Sequence, residues 1–150
     1  MANTYTSLHY HVLFSTKNRE RWIAPEIAQR VWAYLGGIAR EKDMTALKVG
    51  GVEDHVHLVL GLPPTLAPSK AAQLLKGGSS VLIHKNFPAL AAFQWQDGYG
   101  AFTVSKSNLP EVIQYVEGQR EHHRKKTFQE EYRALLDKHG VKYDERYLWG

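Results

Sequence analysis

Residues 53–62 read EDHVHLVLGL. Valine and leucine alternate there around two histidines one residue apart. Along a β-strand, side chains at i and i+2 share a face. Val56, Leu58 and Leu60 therefore point toward a core, and Glu53, His55, His57 and Val59 point away from it. Leu62-Pro63-Pro64 ends the run, because proline has no N–H to give to a ladder. The stretch predicts a half-buried strand over 54–62 with two imidazoles on its second face.

Upstream, residues 45–52 predict a short strand broken at Gly50-Gly51. Pro25 opens a helix to about position 43, with Ile27, Val31, Tyr34, Leu35 and Ile38 on one stripe. SLHYHVLFS, residues 7–15, alternates as a further strand, and a charged connection over 17–21 follows it. Downstream, a helix is expected over 68–84, weakened at Gly77-Gly78. Residues 91–95 read as a short extended piece, Gln96-Asp97-Gly98 as a turn and 99–105 as a strand. Asn108, with Glu111 three residues on, has the N-cap pattern for a helix to about position 124. A second helix runs from near Thr127 to Gly140. The tail VKYDERYLWG is aromatic and charged and is expected on the surface.

The order is β-α-β-β-α-β, then helices. That is the order of a ferredoxin-like (RRM-like) α+β fold with an antiparallel sheet. Its first and third strands lie side by side in the middle. One face carries the helices, and the other is expected to be free for a ligand or a second subunit.

Composition sets the outer bounds. A chain of 150 residues with 43% apolar and 23% charged residues predicts one soluble domain over 1–150 rather than a disordered chain. The net charge of +4 suits an anionic partner such as nucleic acid. The sequence has no cysteine, which excludes disulfides and thiolate metal sites and points to the cytoplasm. The start does not read as a signal peptide. No apolar run approaches the ~20 residues of a membrane span.

Imidazoles at i and i+2 on a strand stand ~7 Å apart and can converge on one ion. Nitrogen donors joined by oxygen donors suit Mn²⁺, Mg²⁺ or Zn²⁺. The same pair can also simply line a polar face or a subunit contact. His9-Tyr10-His11 repeats the spacing on the first strand, and spacing alone does not separate the two pairs. In NLPEVIQYVEGQREHHRKK, residues 108–126, Leu109, Val112, Ile113 and Val116 form an apolar stripe. Tyr115 and Gln119, four apart, share its edge, and His122 follows one turn later. That edge can be core packing, or it can present a nucleophile and an oxygen ligand. The run 121–126 is basic and fits a solvated face or a phosphate backbone.

Together these pieces resemble the single-tyrosine HUH transposases, the small transposases of the simplest bacterial insertion sequences, with their repeat-associated relatives. The resemblance rests on YHVLFSTKNR, DHVHLVL, FQWQDGYGAFTVS and the run from VIQYVEGQREHHRKKTF to the end. It implies that His55, His57 and Gln119 bind a divalent metal, Mg²⁺ or Mn²⁺, and that Tyr115 is the nucleophile. His9 and His11 are then packing or DNA-facing residues. It also implies a homodimer in which the tyrosine helix of one subunit completes the histidine pair of the other. The substrate would be single-stranded DNA with hairpins. Lys17, Arg19, Arg21, Lys76, Arg120, His122, Arg124 and Lys125 are the candidate DNA contacts. Gly77 and Gly78 stand where relatives often carry a basic or bulkier residue. Gln119 is neutral, so the site is expected to keep an uncompensated metal charge. Three other readings stay open: a domesticated nuclease of repeat hairpins, a non-catalytic single-stranded nucleic-acid-binding module, and a metal phosphoesterase that uses water. The last would need more acidic ligands near the histidines.

Overall fold

The structure, a computed structural model, describes residues 3–149. Four strands, β1 (His9–Ser15), β2 (Thr45–Val52), β3 (His55–Gly61) and β4 (Gly100–Thr103), form one antiparallel sheet in the order β2-β3-β1-β4. The expected topology holds, with β1 and β3 central. On one face lie α1 (Pro25–Glu41) and α2 (Pro68–Asn86). Their buried side chains, among them Val31, Leu35, Leu75 and Ile83, meet Val12, Phe14, Val56, Leu58 and Leu60 of the sheet.

The second face is not free. It is covered by α3 (Leu109–Glu117), α4 (Gln119–His122) and α5 (Phe128–Lys138) of the same chain. Leu109 and Val116 of α3 bury Val59. Phe128, Tyr132 and Leu136 of α5 pack on Leu13 and Phe102, with Leu148 and Trp149 of the tail against them. Full burial of a Phe or Leu side chain is worth about 1.5–3 kcal/mol, so Phe128 and Leu136 alone give α5 a firm hold.

Several local expectations shift, each for a steric reason. β2 runs unbroken through Gly50 and Gly51. A Cβ on Gly50 would stand 3.1 Å from the Val116 carbonyl, and one on Gly51 only 2.2 Å from the His55 carbonyl. Glycine is what lets α3 cross β2 and the β2–β3 hairpin close. α2 likewise continues through Gly77-Gly78 to Asn86, because a Cβ on Gly78 would reach within 2.7 Å of Ile38 Cδ1 where α1 crosses. Residues 88–90 form a 3₁₀ turn, and Trp95 bridges Thr16 in isolation, so the expected extended piece shrinks to a single bridge. Asn108 ends a 3₁₀ turn and caps nothing with its side chain. The helix after it breaks at Gly118 into α3 and α4. α5 starts as expected, on a Thr127–Glu130 capping box that satisfies both end donors.

Candidate active site

Antiparallel pairing aligns Leu13 with His57 and Ser15 with His55, and places His11 opposite Val59. Alternation then sets His11, His55 and His57 on the face that α3–α5 cover. All three are buried, His55 and His57 completely. α4 and the turn after it bring Gln119 and His123 over them, and α5 brings Glu131. Ligand atoms of His55, His57, His123 and Glu131 all lie within 4.8 Å of one another.

Glu131 Oε1 stands 3.0 Å from His57 Nε2, 3.0 Å from His123 Nε2 and 3.5 Å from His55 Nε2. Gln119 Oε1 is 3.0 Å from the Nε2 atoms of both His55 and His123. The outer ring nitrogens are engaged. His55 Nδ1 donates to Asp54 Oδ1 at 2.7 Å, and His123 Nδ1 donates to the Lys126 carbonyl at 2.6 Å. His57 Nδ1 meets His11 Nε2 at 2.7 Å, with the rings stacked at 4.9 Å. A carbonyl or carboxylate only accepts, so His55 and His123 carry their proton on Nδ1 and, when neutral, turn Nε2 lone pairs inward. Those lone pairs face two oxygens that also have no hydrogen to share. Such a ring of acceptors is at ease only around positive charge, a proton on imidazole or a metal ion. Nitrogen and oxygen donors with an outer carboxylate or carbonyl fixing each tautomer are what a divalent site requires. The residues fit a metal.

The electrostatics agree. Burial raises the Glu131 carboxyl, but hydrogen bonds from His123 and His57 outweigh it and hold the group ionised far below the usual range. Burial pulls His57 down despite its bond to Glu131. Burial also opposes protonation of His123, but there the Glu131 bond prevails and the ring titrates higher than usual. His11, buried and beside His57, falls to about 3 and stays neutral.

Tyr115, on α3, gives its hydroxyl hydrogen to Glu131 Oε2. Gln119 Nε2 donates to the same oxygen at 3.1 Å. Burial first, then the charge of Glu131 and the hydrogen bond to it, push the phenol well above its ordinary range. Tyr115 and Gln119 thus keep the shared edge read from their spacing, across the break at Gly118.

Two expectations are corrected here. The site is not free of carboxylate, because Glu131 lies at its centre. His11 does more than pack: it holds His57 from behind. His9 shares the face but lies outside the cluster. The tyrosine, the carboxamide and the histidine pair meet within this chain.

Of the candidate DNA contacts, Arg19, Arg21, Arg120, Arg124 and Lys125 line one open cleft of about 850 Å³ beside His123. Arg21 and Arg120 clasp Glu53 at 3.1 and 2.9 Å. Lys17 lies 3.4 Å from Asp97. Lys76 does not face that cleft. Its amine donates to the carbonyls of Gln96, Asp97 and Gly98 at 2.9, 3.2 and 2.5 Å, and burial lowers it to about 8. His122 packs on the Tyr115 ring, 5.3 Å between centroids. His123, Glu131 and Asp54 were missed as site residues. Only the tertiary fold brings Glu131 back to the histidines from 74 residues away.

The comparisons agree with this architecture. The family model described as "Transposase IS200 like" matches residues 4–119. The transposase for insertion sequence element IS200 of Salmonella typhimurium strain LT2 is 29% identical over 126 residues, covering 81% of this chain and 82% of that protein. The ISDra2 transposase TnpA of Deinococcus radiodurans is 27% identical over 119 residues, covering 76% and 85%. A crystal structure assigned as a transposase from Deinococcus radiodurans R1 superposes with a TM-score of 0.66 at 27% identity, over 79% of this chain and 95% of that one. A REP-associated tyrosine transposase bound to a REP hairpin shares the fold, with a TM-score of 0.60 at 13% identity over 82% and 73%. The matched span holds His55, His57, Tyr115 and Gln119 and stops short of His123 and Glu131. With the family model covering most of its length, this chain belongs to the IS200-like transposase family.

Proposed function

We propose that the chain cleaves and rejoins single-stranded DNA at hairpin-marked ends of a mobile element, with Tyr115 as nucleophile and a divalent metal at the histidine cluster. The observation that carries this reading is the Tyr115 hydroxyl bonded to the carboxylate on which the histidines converge. Tyr115 Oη attacks the scissile phosphorus, the bond to the 3′-oxygen breaks, and a 5′-phosphotyrosine and a free 3′-hydroxyl result. The linkage keeps the bond energy, so the 3′-hydroxyl of another end can reverse the step. Glu131 Oε2 accepts the hydrogen bond of the phenol and so aims Tyr115 Oη, while the phenol proton ends on the departing 3′-oxygen, which becomes the free hydroxyl.

His55, His57, His123 and Glu131 would hold the metal, with Gln119 as an added oxygen donor. When bound, the ion neutralises the scissile phosphate and the charge that grows in the transition state. Three imidazoles favour Mn²⁺ over Mg²⁺, which prefers oxygen ligands. Asp54, His11 and the Lys126 carbonyl keep the rings aimed. The arginine-lined cleft would take the strand that leads to Tyr115.

The protein works as a single unit over residues 1–150, in the cytoplasm, with each site assembled within one chain. A homodimer that exchanges its tyrosine helices is the alternative arrangement. Among the described residues, no helix is long and apolar enough to cross a membrane. A phosphoesterase that uses water is the second reading, and the Glu131 carboxylate in the cluster is what favours it. One assay separates the two. Labelled single-stranded DNA from the flanks of the gene is incubated with Mn²⁺ and run on a denaturing protein gel. A labelled protein band, lost with EDTA and in Tyr115→Phe, is expected. Cleavage without that band, persisting in Tyr115→Phe, would favour water as the nucleophile.

A further inference from the structure

A second cavity, of about 500 Å³, opens on the other side of Tyr115, between β4, α3 and α5. It shares Tyr115 and Glu131 with the histidine cluster, and Lys126 lines both this cavity and the arginine cleft. Its interior differs from the cleft. Val112 and Leu135 give an aliphatic wall. Phe102 and His139 stack there at 4.5 Å and 20° between planes, a flat platform at the rim. Asn108 and Glu111 supply amide and carboxylate groups at the edge. His122 Nε2 is buried with no hydrogen-bond partner, at 3.4 Å from Glu131 Oε2. A buried polar atom without a hydrogen-bond partner is costly, and one at the wall of a cavity is open to a polar group that enters it.

We infer that this cavity receives an unpaired nucleobase, that of one of the two nucleotides sharing the scissile phosphate. The inference rests on the proposed attack of Tyr115 on DNA. A nucleotide whose phosphate lies at Tyr115 must put its base beside the tyrosine. The arginine cleft suits phosphates, whereas a base is flat and apolar on its faces and polar at its rim. The ring platform, the aliphatic wall and the polar edge match those three features. Stacking of one base on an aromatic is worth about 1–3 kcal/mol, roughly 5- to 150-fold in affinity. A base held there would set which phosphate faces Tyr115, so this cavity would determine the cleavage position.

The test uses the full chain and single-stranded oligonucleotides tiled through the flanks of its gene. In the best-bound oligonucleotide, each nucleotide in turn is made abasic. Binding is measured with Tyr115→Phe and covalent yield with wild type. One abasic position next to the cleaved phosphate should cost roughly 5-fold or more in binding. Ala134→Trp, an exposed α5 position lining the cavity, should cause the same loss on intact DNA. It should add nothing on the abasic oligonucleotide. His139→Ala, which removes an exposed ring, should give a smaller loss on intact DNA alone, and thermal melts verify that both variants fold. Covalent product with uniform tolerance of abasic positions overturns the base site and spares the proposed reaction. A position-specific abasic loss that Ala134→Trp reproduces, without covalent product, supports the base site and overturns the reaction. Failure of every oligonucleotide to bind overturns both.

Discussion

Glu131 faces more site groups than any other side chain here: His55, His57 and His123 on one oxygen, Tyr115 and Gln119 on the other. Glu131→Gln keeps the size but gives up the charge, so Mn²⁺ affinity by calorimetry and covalent yield should both fall. A variant that binds Mn²⁺ as tightly as wild type would remove Glu131 from the ligand set. Asp54 acts one step back, through His55. Asp54→Ala should weaken Mn²⁺ binding by about 10–100-fold, the usual effect of losing a carboxylate behind a metal-bound imidazole. His11 gives a pH signature. It titrates at about 3 in the folded chain, whereas an unfolded histidine titrates at about 6.5. Between those values the unfolded state binds the extra proton. The contribution of His11 is therefore complete above about pH 6.5 and is lost as pH falls toward 3. Urea unfolding in EDTA should show a stability decline between pH 7 and 4 that is shallower in His11→Phe. An equal or steeper decline in that variant would assign the effect elsewhere.

At the scale of elements, the glycines decide how closely the site is approached. Gly77 is exposed on α2 with nothing near its Cβ position, while Gly51 would drive a Cβ into the His55 carbonyl. Gly77→Ala should stabilise the protein by about 0.5–1 kcal/mol through helix propensity. Gly51→Ala should destabilise it, and because its clash lies in the β2–β3 hairpin, it should weaken Mn²⁺ binding by moving His55. Thermal melts with and without Mn²⁺ check both; a neutral Gly51→Ala would mean that the hairpin adjusts without disturbing the site. The strands, α1, α2 and α5 were legible because their apolar periods and caps are local. The break expected at Gly50-Gly51 was not found, and α2 runs on past the weakening expected at Gly77-Gly78, because Gly50 serves packing against α3, Gly51 the closure of the β2–β3 hairpin and Gly78 packing against α1. The division at Gly118 and the small role of Asn108 were equally beyond a pattern of caps.

For the molecule as a whole, one chain folds its C-terminal helices over its own histidine pair. Mixing Tyr115→Phe with His57→Ala should therefore restore no covalent product, since neither chain has a complete site. Restoration toward a quarter of the wild-type yield would show that the tyrosine helices are exchanged between subunits. Sequence by itself determined the element order, and with it the sheet in which β1 and β3 are neighbours. Local geometry, i, i+2 on a strand and i, i+4 on a helix, offered the pairs His9/His11 and His55/His57 and the Tyr115–Gln119 edge as candidates, and the family resemblance chose His55, His57, Tyr115 and Gln119 among them. Only the tertiary structure decided that the second face is covered, that Lys76 serves the 96–98 turn, and that His11, His123 and Glu131 complete the cluster. These depend on contacts between residues far apart in the chain, for which no local period or spacing leaves a trace, and burial gives them their chemistry.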